Sequence, residues 1–91
     1  MEFSFSFPGG SGTTIDTTSV SVPTSAWSNK TATATVSGVT STSNVIMAYA
    51  ESTWDIAKTA VIRVSAVGSG NITLKCENTP TAAVTLNLAI F

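Results

Sequence analysis

Two alternating runs close the chain. Ile72, Leu74 and Cys76 alternate with Thr73, Lys75 and Glu77, and after Asn78-Thr79-Pro80-Thr81 the residues Val84, Leu86, Leu88 and Ile90 alternate with Thr85, Asn87 and Ala89. A period of two places every second side chain on one face of an extended chain, so both runs are strands with one apolar face. The polar break with its proline makes the pair a β-hairpin or a two-strand corner. The outward face of the pair is expected to carry Thr73, Lys75, Thr85 and Asn87. The second run has no charge and no irregularity. Such a strand invites edge-to-edge association, so it is expected to be central in its sheet or completed by another chain.

The same period recurs upstream. Phe3, Phe5 and Phe7 alternate with Ser4 and Ser6 before Pro8-Gly9-Gly10-Ser11-Gly12, which reads as an N-terminal apolar arm over 1–12 with a glycine-rich link to a single β-domain over 13–91. The arm, with Phe3, Phe5 and Phe7 as its contact residues, is a candidate assembly arm, suited to cover an edge of its own domain or of a neighbour. Val20 and Val22 alternate with serines until Pro23, and Thr24–Trp27 is an extended edge or a turn. Ser28-Asn29-Lys30 is turn material. In Thr31–Val36 the residues Ala32, Ala34 and Val36 face inward and threonines outward, where a branched Cβ suits the pleat. Asn44–Ala50 is apolar on both phases, which predicts a deeply buried strand, either central or at a subunit contact.

Glu51–Ala60 alone tolerates helix, one or two turns at best, α or 3₁₀, with Ser52 or Thr53 placed to cap it. Val61–Val67 resumes strand, with Ile62, Val64 and Ala66 on one face, and Gly68-Ser69-Gly70-Asn71 is a tight turn. The sum is an all-β chain: an antiparallel β-sandwich or barrel-like domain of six to seven short strands with at most one short helical turn.

With 91 residues, the chain makes one domain with a modest core, to which a partner subunit would add noticeably. Charged residues are 10% of the chain, against roughly 25% in an ordinary soluble domain. Serine and threonine supply about a third of all positions, so the surface is hydroxyl-rich rather than ionic. Lys30, Lys58, Arg63 and Lys75 are scattered in a chain of net charge −1 and form no basic patch, which argues against capture of nucleic acid or of an anionic membrane. Weak net charge also leaves little repulsion between copies. No apolar run is long enough for a membrane helix, and Met1–Phe5 lacks the features of a signal peptide, so synthesis in a cytoplasm without export is expected.

The chain has no histidine, which removes the commonest general base and metal ligand, and Cys76 shares the inward phase of Ile72 and Leu74 as a small apolar residue. Glu2, Asp16, Glu51, Asp55 and Glu77 form no paired-carboxylate motif, and neither zinc nor calcium spacing is present. The expectation is therefore a non-enzymatic protein with no catalytic residues, no metal and no cofactor. Asn29-Lys30-Thr31 and Asn71-Ile72-Thr73 match the glycosylation acceptor pattern, which is common by chance in a threonine-rich chain. Trp27, Tyr49 and Trp54 are the amphipathic aromatics able to anchor a partner or stack on a sugar, Trp54 foremost because its segment is loop-like.

The order Ser19–Trp27, Ala34–Thr40, Val61–Ala66, Gly70–Cys76 and Thr79-Pro80 before a closing alternating strand resembles the small β-rich domain of tail-fibre, baseplate and head-fibre proteins from phages and prophages of Firmicutes. The likeness covers Ser19 to Phe91 and rests on strand words and turns; the arm from Phe3 to Gly12 lies outside it. It implies a non-enzymatic virion part, commonly trimeric, that presents loops to a host surface or joins neighbouring virion proteins. The alternative is a monomeric carbohydrate-binding module in which Trp54, with Trp27, stacks on a glycan such as that of a host cell wall.

Overall fold

A computed structural model describes residues 15–91. The arm over 1–12, with Phe3, Phe5 and Phe7, lies outside the described residues. Six strands follow in order: β1 (Asp16–Val22), β2 (Thr31–Thr35), β3 (Val45–Tyr49), β4 (Ile62–Gly68), β5 (Asn71–Cys76) and β6 (Val84–Ile90), with one helix, α1 (Trp54–Ala60), between β3 and β4. They form two antiparallel three-stranded sheets, ordered β1-β6-β3 and β2-β5-β4. The protein is thus all-β and sandwich-like, as the alternating runs require.

The two closing runs prove to be a corner rather than a hairpin. β5 is the middle of one sheet and β6 the middle of the other, and the Asn78–Ala83 stretch with buried Pro80 carries the chain across. Both alternations point the expected way: Ile72, Leu74 and Cys76 from β5 meet Val84, Leu86, Leu88 and Ile90 from β6 in one core with Val22, Trp27, Ala32, Ala34 and Val36. β6 has a neighbour on each side, so its flat, uncharged ladder is paired throughout. Its second row is sheltered as well. Ala89 is fully buried and Asn87, expected to face outward, is buried with its Oδ1 accepting from Ser19 Oγ at 2.7 Å.

Turn chemistry shapes the ends. Asn29 and Lys30 both adopt positive φ, 52° and 61°, which closes a tight turn in which Ser28 and Thr31 exchange two main-chain hydrogen bonds. Thr24–Ala26 is a 3₁₀ turn after Pro23. Between β4 and β5 the turn needs Gly70 at φ 76°, a conformation that costs glycine little.

Three local expectations are overturned. Among the described residues β3 has β6 as its one strand neighbour, so of the two placements expected for it the central one is not seen there; nor is it deeply buried, since its residues are half-buried and Ile46 is 37% exposed. In β4 the single phase Ile62, Val64, Ala66 is broken by a bulge between Val64 and Ala66, which turns Val67 toward the core and leaves Ala66 exposed. Periodicity cannot show an inserted residue in advance. Thr53 precedes α1 but does not cap it: its Oγ1 accepts from Thr85 N–H at 2.9 Å and donates to Thr85 O at 3.4 Å. That hydroxyl therefore fastens the start of the helical segment to β6 instead of satisfying the helix.

The helical segment is 3₁₀ at Glu51–Thr53 and α-helical over Trp54–Ala60, and it buries the small residues Ala57 and Ala60 against the sandwich. It ends at Val61, in left-handed conformation with φ 56° and N–H bonded to Ala57 O at 3.0 Å. A β-branched residue is strained there. Ala60 O accepts from Glu77 and Asn78 N–H at 2.9 and 3.1 Å, and this holds the reversal that returns the chain into β4.

Candidate functional site

The flank where β3 faces β4 holds a cavity of about 490 Å³, lined by Met47, Ala48, Tyr49, Glu51, Trp54 and Ile62. This volume falls in the range of small-ligand sites, roughly 300–1,000 Å³. Three elements build it. β3 supplies Met47 and Tyr49, the helical segment supplies Glu51 and Trp54, and the first residue of β4 supplies Ile62.

Tyr49 is the hinge pin. Its hydroxyl donates to Ile62 O at 2.8 Å and accepts from Ile62 N–H at 2.8 Å, tying an edge strand of one sheet to an edge strand of the other. The ring is thereby fixed, and Trp54 leans on it with centroids 5.8 Å apart and planes at 57°. Tilted aromatic pairs of this spacing are favourable by about 0.5–1.5 kcal/mol beyond area burial. Trp54 nevertheless stays 46% exposed, with its indole available on the rim. The Thr53–Thr85 hydrogen bonds sit one residue before Trp54 and restrain the backbone that carries it.

The groove also has a main-chain wall. Asn44 and Phe91 exchange two hydrogen bonds, 2.7 and 3.0 Å, and Ala50 N–H reaches Thr85 O at 3.0 Å. Because antiparallel pairs alternate, Ile46 and Ala48 turn their N–H and C=O toward β6, while Val45, Met47 and Tyr49 turn theirs away from it.

Of the three aromatics singled out in the sequence, Tyr49 and Trp54 come together here and Trp27 does not. Trp27 is 9% exposed within the core, and its Nε1 has no hydrogen-bond partner among the described residues. Met47, Glu51 and Ile62 were not singled out, since their place in the groove depends on β3 and β4 meeting across the two sheets.

Reactive chemistry is sparse. Burial pushes the Cys76 thiol above its ordinary pKa, outweighing the opposing pull of Lys30, so it is held as a neutral thiol in the core. Asp55–Lys58 at 3.5 Å and Arg63–Glu77 at 3.3 Å are exposed surface pairs. Among the described residues no group of three or more acidic, cysteine or histidine side chains is placed to hold a metal, and no helix is long and apolar enough to cross a membrane. What this arrangement offers chemically is a rigid aromatic contact surface beside one carboxylate.

The chain matches no family model, no curated protein and no solved structure. The class defined by the fold is a small antiparallel β-sandwich-like domain with an aromatic groove on one flank.

Proposed function

We propose that the chain is a non-enzymatic structural and adhesion domain of a phage virion, a fibre or decoration component that assembles with copies of itself and attaches to a host surface or to other virion proteins. The observation that carries this reading is the chemistry of two strand edges that have no further strand beside them among the described residues. β1 and β2 are edge strands on the flank opposite the groove, lining a cleft with Val20, Val22, Thr33 and Ala34, and Asp16 is the one charged residue in either strand. Monomeric proteins ordinarily protect such edges with lysine, proline or bulges. Neither strand contains lysine or proline, and neither has a shift in register against its partner. The hydroxyl-rich surface and the sequence likeness to fibre domains support the same reading, and the likeness favours a trimer.

Light scattering at micromolar concentration tests it, and a clean monomer would sink the idea. Ser21→Lys with Thr33→Lys, both at exposed positions, places a charge on each edge without touching the core. The expected result is dissociation to monomer with an unchanged β-type circular dichroism spectrum.

A second reading has its own support in Trp54: a monomeric module in which the exposed indole stacks on a sugar ring while Glu51 accepts hydrogen bonds from its hydroxyls. Stacking on an aromatic side chain contributes on the order of 1 kcal/mol. Trp54→Ala is then expected to abolish retention on a glycan array; equal retention by parent and variant removes this reading.

A further inference from the structure

We propose that the groove between β3 and the helical segment is a binding site for a quaternary ammonium group of the choline type, held over the rings of Tyr49 and Trp54 and against the carboxylate of Glu51. The inference goes beyond the assembly reading, which concerns the opposite flank, and gives the groove a charged occupant in place of a neutral sugar. It rests on ring geometry, charge and the polar inventory of the lining.

The rings come first. Tyr49 and Trp54 both line the cavity, and with centroids 5.8 Å apart and planes inclined at 57° they form a corner rather than a stack. A cation is attracted to the face of an aromatic ring within about 6 Å of its centroid, and one cation in such a corner can lie that near to both. Tyr49 is fixed through its hydroxyl, which donates to Ile62 O and accepts from Ile62 N–H, so what it offers a ligand is its ring. Met47, Ala48 and Ile62 complete the wall with apolar surface. The flexible, polarisable thioether of Met47 suits the methyl groups of such a cation.

Charge selects the sign of the ligand. Glu51 is the one charged residue lining the groove, and none of Lys30, Lys58, Arg63 and Lys75 lines it. Lys58 is paired with Asp55 and Arg63 with Glu77, whereas among the described residues Glu51 has no ion-pair partner. The 3₁₀ turn sets its place: Trp54 N–H bonds Glu51 O, and residues three apart in such a turn stand one above the other, which puts the carboxylate on the side of the indole. The polar inventory narrows the class. Glu51 only accepts hydrogen bonds, and among the described residues the Trp54 indole N–H is the one unengaged side-chain donor of the lining. A neutral sugar presents hydroxyls that both donate and accept, and a primary ammonium brings three N–H donors to a single acceptor group. A quaternary ammonium has no hydrogen bonds to satisfy, so apolar walls, two rings and one carboxylate meet it fully.

Titration of the full chain with choline chloride at constant ionic strength, followed by its amide and indole N–H resonances, tests this. Saturable movement of the Trp54 indole and of the Tyr49 and Ile62 amides in the millimolar range is expected, while the Trp27 indole, in the core, stays put. Trp54→Ala is expected to weaken binding about 10-fold, read from the two amides. Glu51→Gln, at an exposed position away from the core, is expected to weaken it about 2–5-fold and to flatten its salt dependence. Dimethylbutanol, in which carbon replaces the nitrogen of choline, has the same shape without the charge and is expected to bind about 10-fold more weakly. Equal binding of choline and dimethylbutanol overturns the proposal, because the groove would then read shape alone. Methylammonium binding as tightly as choline overturns it in favour of a primary amine. The absence of saturable movement with choline, or saturation by N-acetylglucosamine alone, overturns it as well, the latter in favour of the sugar. Parent-like choline affinity in both Trp54→Ala and Glu51→Gln places the cation elsewhere and has the same consequence.

Discussion

Leu86→Ala is expected to lower the melting temperature by roughly 10–30 °C. Leu86 is fully buried in the central strand β6, paired with Val20 of β1 on one side and Tyr49 of β3 on the other. Its side chain belongs to the row that meets β5 across the sandwich. Truncating a buried leucine to alanine costs about 2–5 kcal/mol, because transfer energy is lost and the cavity relaxes only in part. Domains of this size have only ~5–15 kcal/mol in total, and each kcal/mol moves the midpoint by about 4–8 °C. Thermal unfolding followed by circular dichroism measures it. Lys75→Ala, at an exposed position on β5, is the comparison and is expected to stay within about 0.5 kcal/mol of the parent. A Leu86→Ala loss as small as that would mean the two sheets do not share a core at this strand.

The second large effect belongs to Tyr49→Phe. One oxygen atom serves both Ile62 N–H and Ile62 O, each at 2.8 Å. β4 is an edge strand, and Cys76 opposite Ile62 gives its own N–H to Lys30 O, so Ile62 has no ladder partner for these groups. Removing the hydroxyl leaves a part-buried donor and acceptor unpaired, a penalty of about 1–3 kcal/mol. The expected result is a fall in melting temperature of roughly 5–20 °C, with faster amide exchange at Ile62. The phenyl ring keeps the shape of the site, so the loss reports on the hydroxyl itself. Unchanged stability together with unchanged exchange at Ile62 would remove Tyr49 as the tie between the sheets.

The tie and the groove share a cause. Among the described residues the two three-stranded sheets have four edges, and β3 and β4 bring two of them together on one flank. The apolar character of Val45–Tyr49 on both phases, read from sequence as a sign of deep burial, belongs to an edge strand with one face on the core and its open side along the groove. Period-two analysis distinguishes one covered face from two, but an apolar residue beside a groove and one beneath a sheet look alike in a sequence. The bulge in β4 escaped for a related reason: an extra residue shifts the phase without changing composition. Thr53 was placed correctly at the helix start and misread in its role, since a hydroxyl there can serve the helix or a neighbouring strand, and only the proximity of Thr85 decides.

Alternation along β2, β5 and β6 determined by itself that the chain is all-β and which rows of side chains point into the core, because a strand exposes its two faces in strict turn; that Asn87 and Ala89 on the other row of β6 are buried as well was decided by the tertiary structure. The scarcity of charge, the absence of histidine and the inward phase of Cys76 likewise followed from the residues alone. The tertiary structure decided which strands stand at edges, that β5 and β6 part into different sheets, and that Tyr49 and Trp54 meet while Trp27 sinks into the core. Those outcomes depend on contacts between residues far apart in the chain, and local period carries no information about which distant strand will arrive beside another.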